Sequence, residues 1–293
     1  AHGRPLALKN QKARALLFYL AVSGQPHTRN HLATLLWSEF PANSARRSLR
    51  AALFQLRRAL QAANVAQLLS SEADLVRLDQ AEIECDVIHF SRLLAEASEA
   101  ALVEAIALYR GPLLEGFSLP DAPLLDEWVR LEDERLTQAY LSALERLANL
   151  AEAQQSWSTA IGYLQRLVQT DPLAEQAHRQ LIRLYLQTGT ISQALRQYQQ
   201  FEAELQQKFG LVPAPETQAL FQEAVRLQQP RRPAQQPAPP TMNRRTQPAL
   251  PFVGRDSLLT DLLAISGEVK AGQGGTVLLQ GEGGIGKTRL VNE

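Results

Sequence analysis

Two clusters of residue types in this 293-residue chain could do chemistry. The first is Gly281-Glu282-Gly283-Gly284-Ile285-Gly286-Lys287-Thr288, the G-x-x-x-x-G-K-T spacing of a phosphate loop. It follows an apolar run over 275–280 that reads as a strand, and it opens what reads as a helix. In that setting Gly281, Gly283, Gly284 and Gly286 let backbone N–H groups close on phosphates, Lys287 reaches the β and γ oxygens, and Thr288 holds Mg²⁺. The ligand expected there is ATP with Mg²⁺. The second cluster is Arg46, Arg47, Arg50, Arg57 and Arg58, with no acidic residue between Ser44 and Leu60. At about 100° per residue, Arg46, Arg50 and Arg57 fall within about 40° of one another, and Arg47 and Arg58 widen the arc to about 120°. Leu49, Leu53, Leu56 and Leu60 take the opposite flank. A helix so divided can bury one side and present guanidinium groups to guanine edges or phosphates from the other.

Other chemistry finds less material. Cys85 is the sole cysteine, which excludes an internal disulfide or a multi-thiolate metal centre. The five histidines have no metal-ligand spacing, and the acids are spread over solvated helix faces, so no catalytic centre is expected before residue 230. Trp37, Trp128 and Trp157 each lie in a helical apolar pattern and read as packing groups. No run of 18 apolar residues exists, so no membrane span is expected and the compartment is read as cytoplasmic. Lys+Arg and Asp+Glu balance at 30 each, but residues 1–80 carry 11 basic and 4 acidic side chains while 81–229 carry 11 and 21. The basic head suits a polyanion, and the acidic middle would be repelled by one.

These groups need elements to hold them. Residues 12–23 have Ala13, Leu16, Leu17 and Leu20 on one helical face, Thr28 caps a second helix, and Asn43 or Ser44 caps a third running to Leu60. Runs at 67–70 and 75–78 form a hairpin around Ser71-Glu72-Ala73-Asp74, and 83–87 is a further strand candidate. Three helices and a hairpin give the order of a winged helix, in which the third helix enters the major groove. Arg29, the wing residue Arg77, and Lys9, Lys12 and Arg14 could add backbone contacts. Residues 90–228 are nearly all helical pattern. A shift of 34 superimposes Leu147 on Leu181, Leu150 on Leu184, Ala160 on Ala194, Ile161 on Leu195, Leu164 on Tyr198 and Leu167 on Phe201, the tetratricopeptide period. From Pro230 onward come 7 of the chain's 16 prolines, which read as an extended linker.

The segments Lys12-Ala13-Arg14, Thr28-Arg29-Asn30-His31-Leu32-Ala33, the arginine helix and Cys85-Asp86-Val87-Ile88-His89-Phe90 resemble the DNA-binding head of the antibiotic regulatory protein (SARP) family. Leu108-Tyr109-Arg110-Gly111-Pro112, Glu127-Trp128, Asp171-Pro172-Leu173-Ala174-Glu175 and Ala194-Leu195-Arg196-Gln197-Tyr198 resemble that family's bacterial transcriptional activator domain. The resemblance covers residues 3–228. It implies a response-regulator-type winged helix bound to promoter DNA at repeated sites, two copies side by side, and recruitment of RNA polymerase. Members commonly carry strands before the Gly3-Arg4-Pro5 turn, so an N-terminal truncation is expected. His31 stands where members often have Glu, which removes a capping box. Phe252-Val253-Gly254-Arg255 with the phosphate loop is similar to the entry of a STAND-class signalling ATPase. The chain ends five residues past Thr288, so ATP and Mg²⁺ binding is expected of a longer parent protein, and this chain is expected to be no enzyme.

The expected fold class is mainly α: a winged helix-turn-helix head over 1–84, a tetratricopeptide-like all-α domain over 85–229, a linker over 230–250, and the α/β start of a P-loop NTPase over 251–293. The leading function is a DNA-binding transcriptional activator under nucleotide control. The alternative is a signalling NTPase whose helical repeats bind protein and whose basic head has no DNA sequence preference.

Overall fold

A computed structural model describes residues 6–228, together with Ser257, Thr260, Asp261 and Ala264, which are helical and exposed. The expected linker, the 275–280 strand and the phosphate loop lie outside the described residues. Helix α1 (Gln11–Ser23) starts where the Asn10 side chain accepts from the Ala13 N–H at 3.0 Å, and ends at Gly24, whose φ of 65° is the left-handed turn that glycine adopts freely. A two-residue strand β1 (His27–Thr28) leads into α2 (Arg29–Leu36), capped as expected by Thr28 Oγ1, which accepts from the His31 N–H. Helix α3 (Ala42–Ala62) begins one to two residues before the expected caps. Its first turn is anchored by the Pro41 carbonyl, which accepts from Ser44 and Ala45, and Ser44 Oγ accepts from Arg47 instead.

The wing is β2 (Leu69–Glu72) and β3 (Leu75–Leu78), antiparallel with Ser70 opposite Arg77, so the turn is only Ala73 and Asp74. Strand β1 joins the other edge of β3 with His27 opposite Val76, making a three-stranded sheet in the order β1-β3-β2. The strand expected over 83–87 does not form. Cys85 caps helix α4 (Asp86–Glu96) instead, because Phe90 and Leu93 bury a helical face against α5 (Glu99–Leu108). An apolar run this short fits either period, and packing decides.

Helix α6 (Pro123–Ala153) opens with proline in its first turn, where a missing N–H costs nothing. It is followed by α7 (Trp157–Thr170), α8 (Glu175–Gln187), α9 (Ile191–Phe209) and α10 (Pro215–Gln228). The 34-residue repeat falls on α6–α7 and α8–α9. Leu147, Leu181, Ala160, Ala194 and Leu164 are buried with at most 1% exposure, while Leu150 is exposed where its counterpart Leu184 is buried. The small side chains Ala160 and Ala194 allow the close helix approach that the period requires.

Two buried clusters organise residues 6–228. The first gathers Leu16, Leu20, Leu36, Leu53 and Leu56 from the head with Val76 and Leu78 of the wing, and also Leu119, Ala122 and Leu125. The second runs from Phe90 through Tyr140 and Leu144 to Tyr198 and Ala224. Helix α6 contributes to both, Leu125 to the first and Leu136 to Ala151 to the second. No helix among the described residues is long and apolar enough to cross a membrane.

Candidate nucleic-acid interface

Helix α3 buries Ala45, Leu49, Ala52, Leu53, Leu56 and Leu60, and that stripe fixes which way its other side faces. Arg46, Arg47, Arg50, Arg57 and Arg58 are all exposed on the other side. Among the described residues none of the five forms an ion pair; the charge pairs involve Lys12, His89, Arg130, Arg135, Arg183 and Lys208. Arg46 donates to Asn30 Oδ1 at 3.1 Å, tying α3 to the first turn of α2, and Arg47 donates to Ser44 Oγ at 3.3 Å. Five guanidinium groups thus share one face, none of them in an ion pair among the described residues.

The two outlying arginines have different surroundings. Arg77 is exposed on β3 between buried Val76 and Leu78, so the strand alternation points it away from the core. Arg29 is half-buried: its N–H donates to the Asp74 carbonyl at 2.8 Å and its Nη2 to Ser71 Oγ at 2.6 Å, strapping the start of α2 to the wing. Arg29, Asn30, Arg46, Leu49, Arg50 and the wing-tip Asp74 line a cleft of about 470 Å³. The wing, α2 and α3 therefore converge on one cationic surface.

Lys12 and Arg14 belong elsewhere. Lys12 Nζ donates to the Leu36 and Asp121 carbonyls at 2.6 and 3.0 Å, pairs with the Asp121 carboxylate at 2.9 Å and lies over the Trp37 ring. Arg14 is set over the Phe117 ring. Both cations pin the head to the segment entering α6; Lys9 stays exposed. Trp37 is buried, and Trp128 and Trp157 pack against the two cores, as their apolar patterns imply.

Behind the cationic face an aromatic group sets the angle of α2. The Tyr19 hydroxyl and His31 Nε2 share a hydrogen bond of 2.7 Å, the His27 and His31 rings stack, and Trp128 meets Tyr19 edge-on. Burial, and then the neighbouring His31 charge, hold the His27 pKa below its usual value. Burial likewise raises the Tyr19 pKa. Counting charges in the sequence passes over Asn30, the partner of Arg46, and over Phe54, which is 65% exposed on α3. The available signal for Phe54 was its place off the leucine stripe, three or four residues from Arg50, Arg57 and Arg58. No group of His, Cys, Asp and Glu among the described residues could hold a metal ion.

Comparison with known proteins adds to this geometry. The family model for the bacterial transcriptional activator domain matches residues 73–225. "Transcriptional regulatory protein MoaR1" of Mycobacterium tuberculosis is 30% identical over 239 residues, 76% of this chain and 75% of that protein. "Transcriptional regulatory protein EmbR" of Mycobacterium bovis is 28% identical over 77% of this chain and 60% of its own length. "Regulatory protein AfsR" of Streptomyces coelicolor is 27% identical over 98% of this chain and 30% of its own length. The solved structure of Mycobacterium tuberculosis EmbR in complex with a low-affinity phosphopeptide superimposes with a TM-score of 0.56 at 23% identity, covering 92% of this chain and 67% of that one. That likeness shows the same fold.

Proposed function

This chain belongs to the bacterial transcriptional activator domain family, and from that premise we propose that it is a sequence-specific DNA-binding activator of transcription. The observation that carries the reading is the unpaired arginine face of α3, the third helix of a winged helix, with its apolar stripe buried beneath it. Arg46, Arg47, Arg50, Arg57 and Arg58 contact DNA from the major-groove side, while Arg77 approaches the backbone from the wing and Arg29 holds the wing against α2. The helical domain over α4–α10 serves self-association at repeated promoter sites and contact with RNA polymerase, and the protein works in the cytoplasm. Relatives named as transcriptional regulatory proteins support this reading.

A nucleotide switch is the second part of the proposal. Its support is the phosphate-loop spacing at Gly281, Gly283, Gly284, Gly286, Lys287 and Thr288, which fits ATP and Mg²⁺. DNA affinity of the intact protein that is the same with ATP, with ADP and in Lys287→Ala would remove it.

Selection from random double-stranded DNA tests the main reading, using the full chain beside an Arg46→Ala/Arg50→Ala/Arg57→Ala variant at about 150 mM salt. Circular dichroism first establishes that both are folded. The expected result is a repeated motif enriched by the parent and lost by the variant. A folded parent that enriches nothing would favour the signalling-NTPase reading instead.

A further inference from the structure

Phe54 is the most exposed of the large apolar side chains among the described residues, at 65%. It is also the one apolar ring on the cationic arc of α3. Taking Arg46 as zero, Phe54 projects at about 80°, between Arg50 at about 40° and Arg47 at about 100°. Its neighbours one turn away are Arg50, Arg57 and Arg58. None of them stacks on its ring; the described cation–π contacts are those of Lys12, Arg14 and Arg166. The ring gives nothing to the core and takes nothing from its neighbours. It is nevertheless held by a helix whose opposite stripe is buried to 4% or less, so its direction is fixed.

We infer that Phe54 is a specificity-determining residue that reads the 5-methyl group of a thymine in the major groove. This inference rests on the DNA-binding reading given above. A duplex offers the arginines phosphates and guanine edges, and in the major groove it offers an apolar ring one partner, the thymine methyl. Three guanidinium groups one turn from the ring and two more along the same face, none of them in an ion pair, bring a polyanion to it in preference to a neutral protein surface. The methyl contact also takes the ring out of water. Base preference therefore includes a thymine flanked by positions that the arginines read or clamp.

The test is a double-mutant cycle between protein and DNA. The full chain, Phe54→Ala and Phe54→Leu are measured against the selected site, with each thymine in turn replaced by deoxyuridine, which removes only the methyl group. Phe54→Ala leaves the buried stripe intact, and unchanged circular dichroism and melting temperature show that it folds. At one thymine, deoxyuridine should weaken the parent about fivefold, should leave Phe54→Ala unchanged, and should weaken Phe54→Leu to an intermediate degree. If the parent selects a sequence but no thymine shows this coupling, the inference falls and the DNA-binding reading stands. If the parent selects no sequence, both fall together. Reduced polymerase-dependent transcription by Phe54→Ala with unchanged DNA preference would also overturn the inference, assigning the ring to polymerase.

Discussion

The two bonds that the His178 ring makes fix its tautomer. Nε2 lies 3.1 Å from the Pro172 carbonyl, so it carries the proton, and Nδ1 lies 2.9 Å from the Gln197 amide nitrogen, so it accepts. A second proton on Nδ1 would face a donor, in a residue only 2% exposed and stacked on Phe201. Burial lowers its pKa, outweighing the Pro172 carbonyl and the nearby Glu204, Asp171 and Glu175, which raise it. A folded pKa below the unfolded value of 6.5 makes the related stability complete above that pH and progressively lost as pH falls below it. His27 acts in the same direction. Thermal melts from pH 8 to pH 5 should therefore show a falling midpoint, with a shallower slope in His178→Gln. At the same scale, Lys12→Met should destabilise the protein by about 1–3 kcal/mol, because the Leu36 and Asp121 carbonyls lose a charged donor. The exposed Asp121 carboxylate adds little to that sum. Urea unfolding of the variant reads it directly. This role of Lys12 is invisible in the sequence because its partners stand 24 and 109 residues away, a distance that no local pattern reveals.

Helix α10 is held at its start by a side chain from another helix. Glu175 Oε1, in the first turn of α8, accepts from the Ala214 N–H and the fully buried Thr217 hydroxyl, both at 2.7 Å. One carboxylate thus caps a helix that begins 40 residues later. Glu175→Ala should cost about 1–3 kcal/mol and should speed amide exchange over 215–228 more than over 11–62. Glu175→Gln, which keeps an acceptor, should recover much of the protection. Legibility at this scale followed pattern strength. Helix α3 was readable because its leucines and arginines separate cleanly around the axis, and Thr28 because a cap needs only its own neighbours. Strand β1 was not, since His27 and Thr28 have no alternation of their own and become a strand only by pairing with Val76 and Leu75. The 83–87 run contained both periods, and packing of Phe90 and Leu93 selected the helix.

At the scale of the whole described chain, the first turns of α6 belong to the head and the rest to the helical pairs. No periodicity could announce that sharing, because Leu119, Ala122 and Leu125 are apolar residues of an ordinary helix entry. The expected consequence is a single cooperative unfolding transition for residues 6–228, with coincident near- and far-ultraviolet circular dichroism curves. Two separated transitions would mean that the cores are energetically independent. Helix α6 has 31 residues, so it is a strut about 46 Å long. A strut of that length is also a lever. With the head fixed to one end, a tilt of about 5° imposed by a partner on the far end sweeps the head through about 4 Å, close to the spacing of adjacent base pairs. On the DNA-binding reading, force applied at the helical pairs would be geared into a change of footing on the duplex.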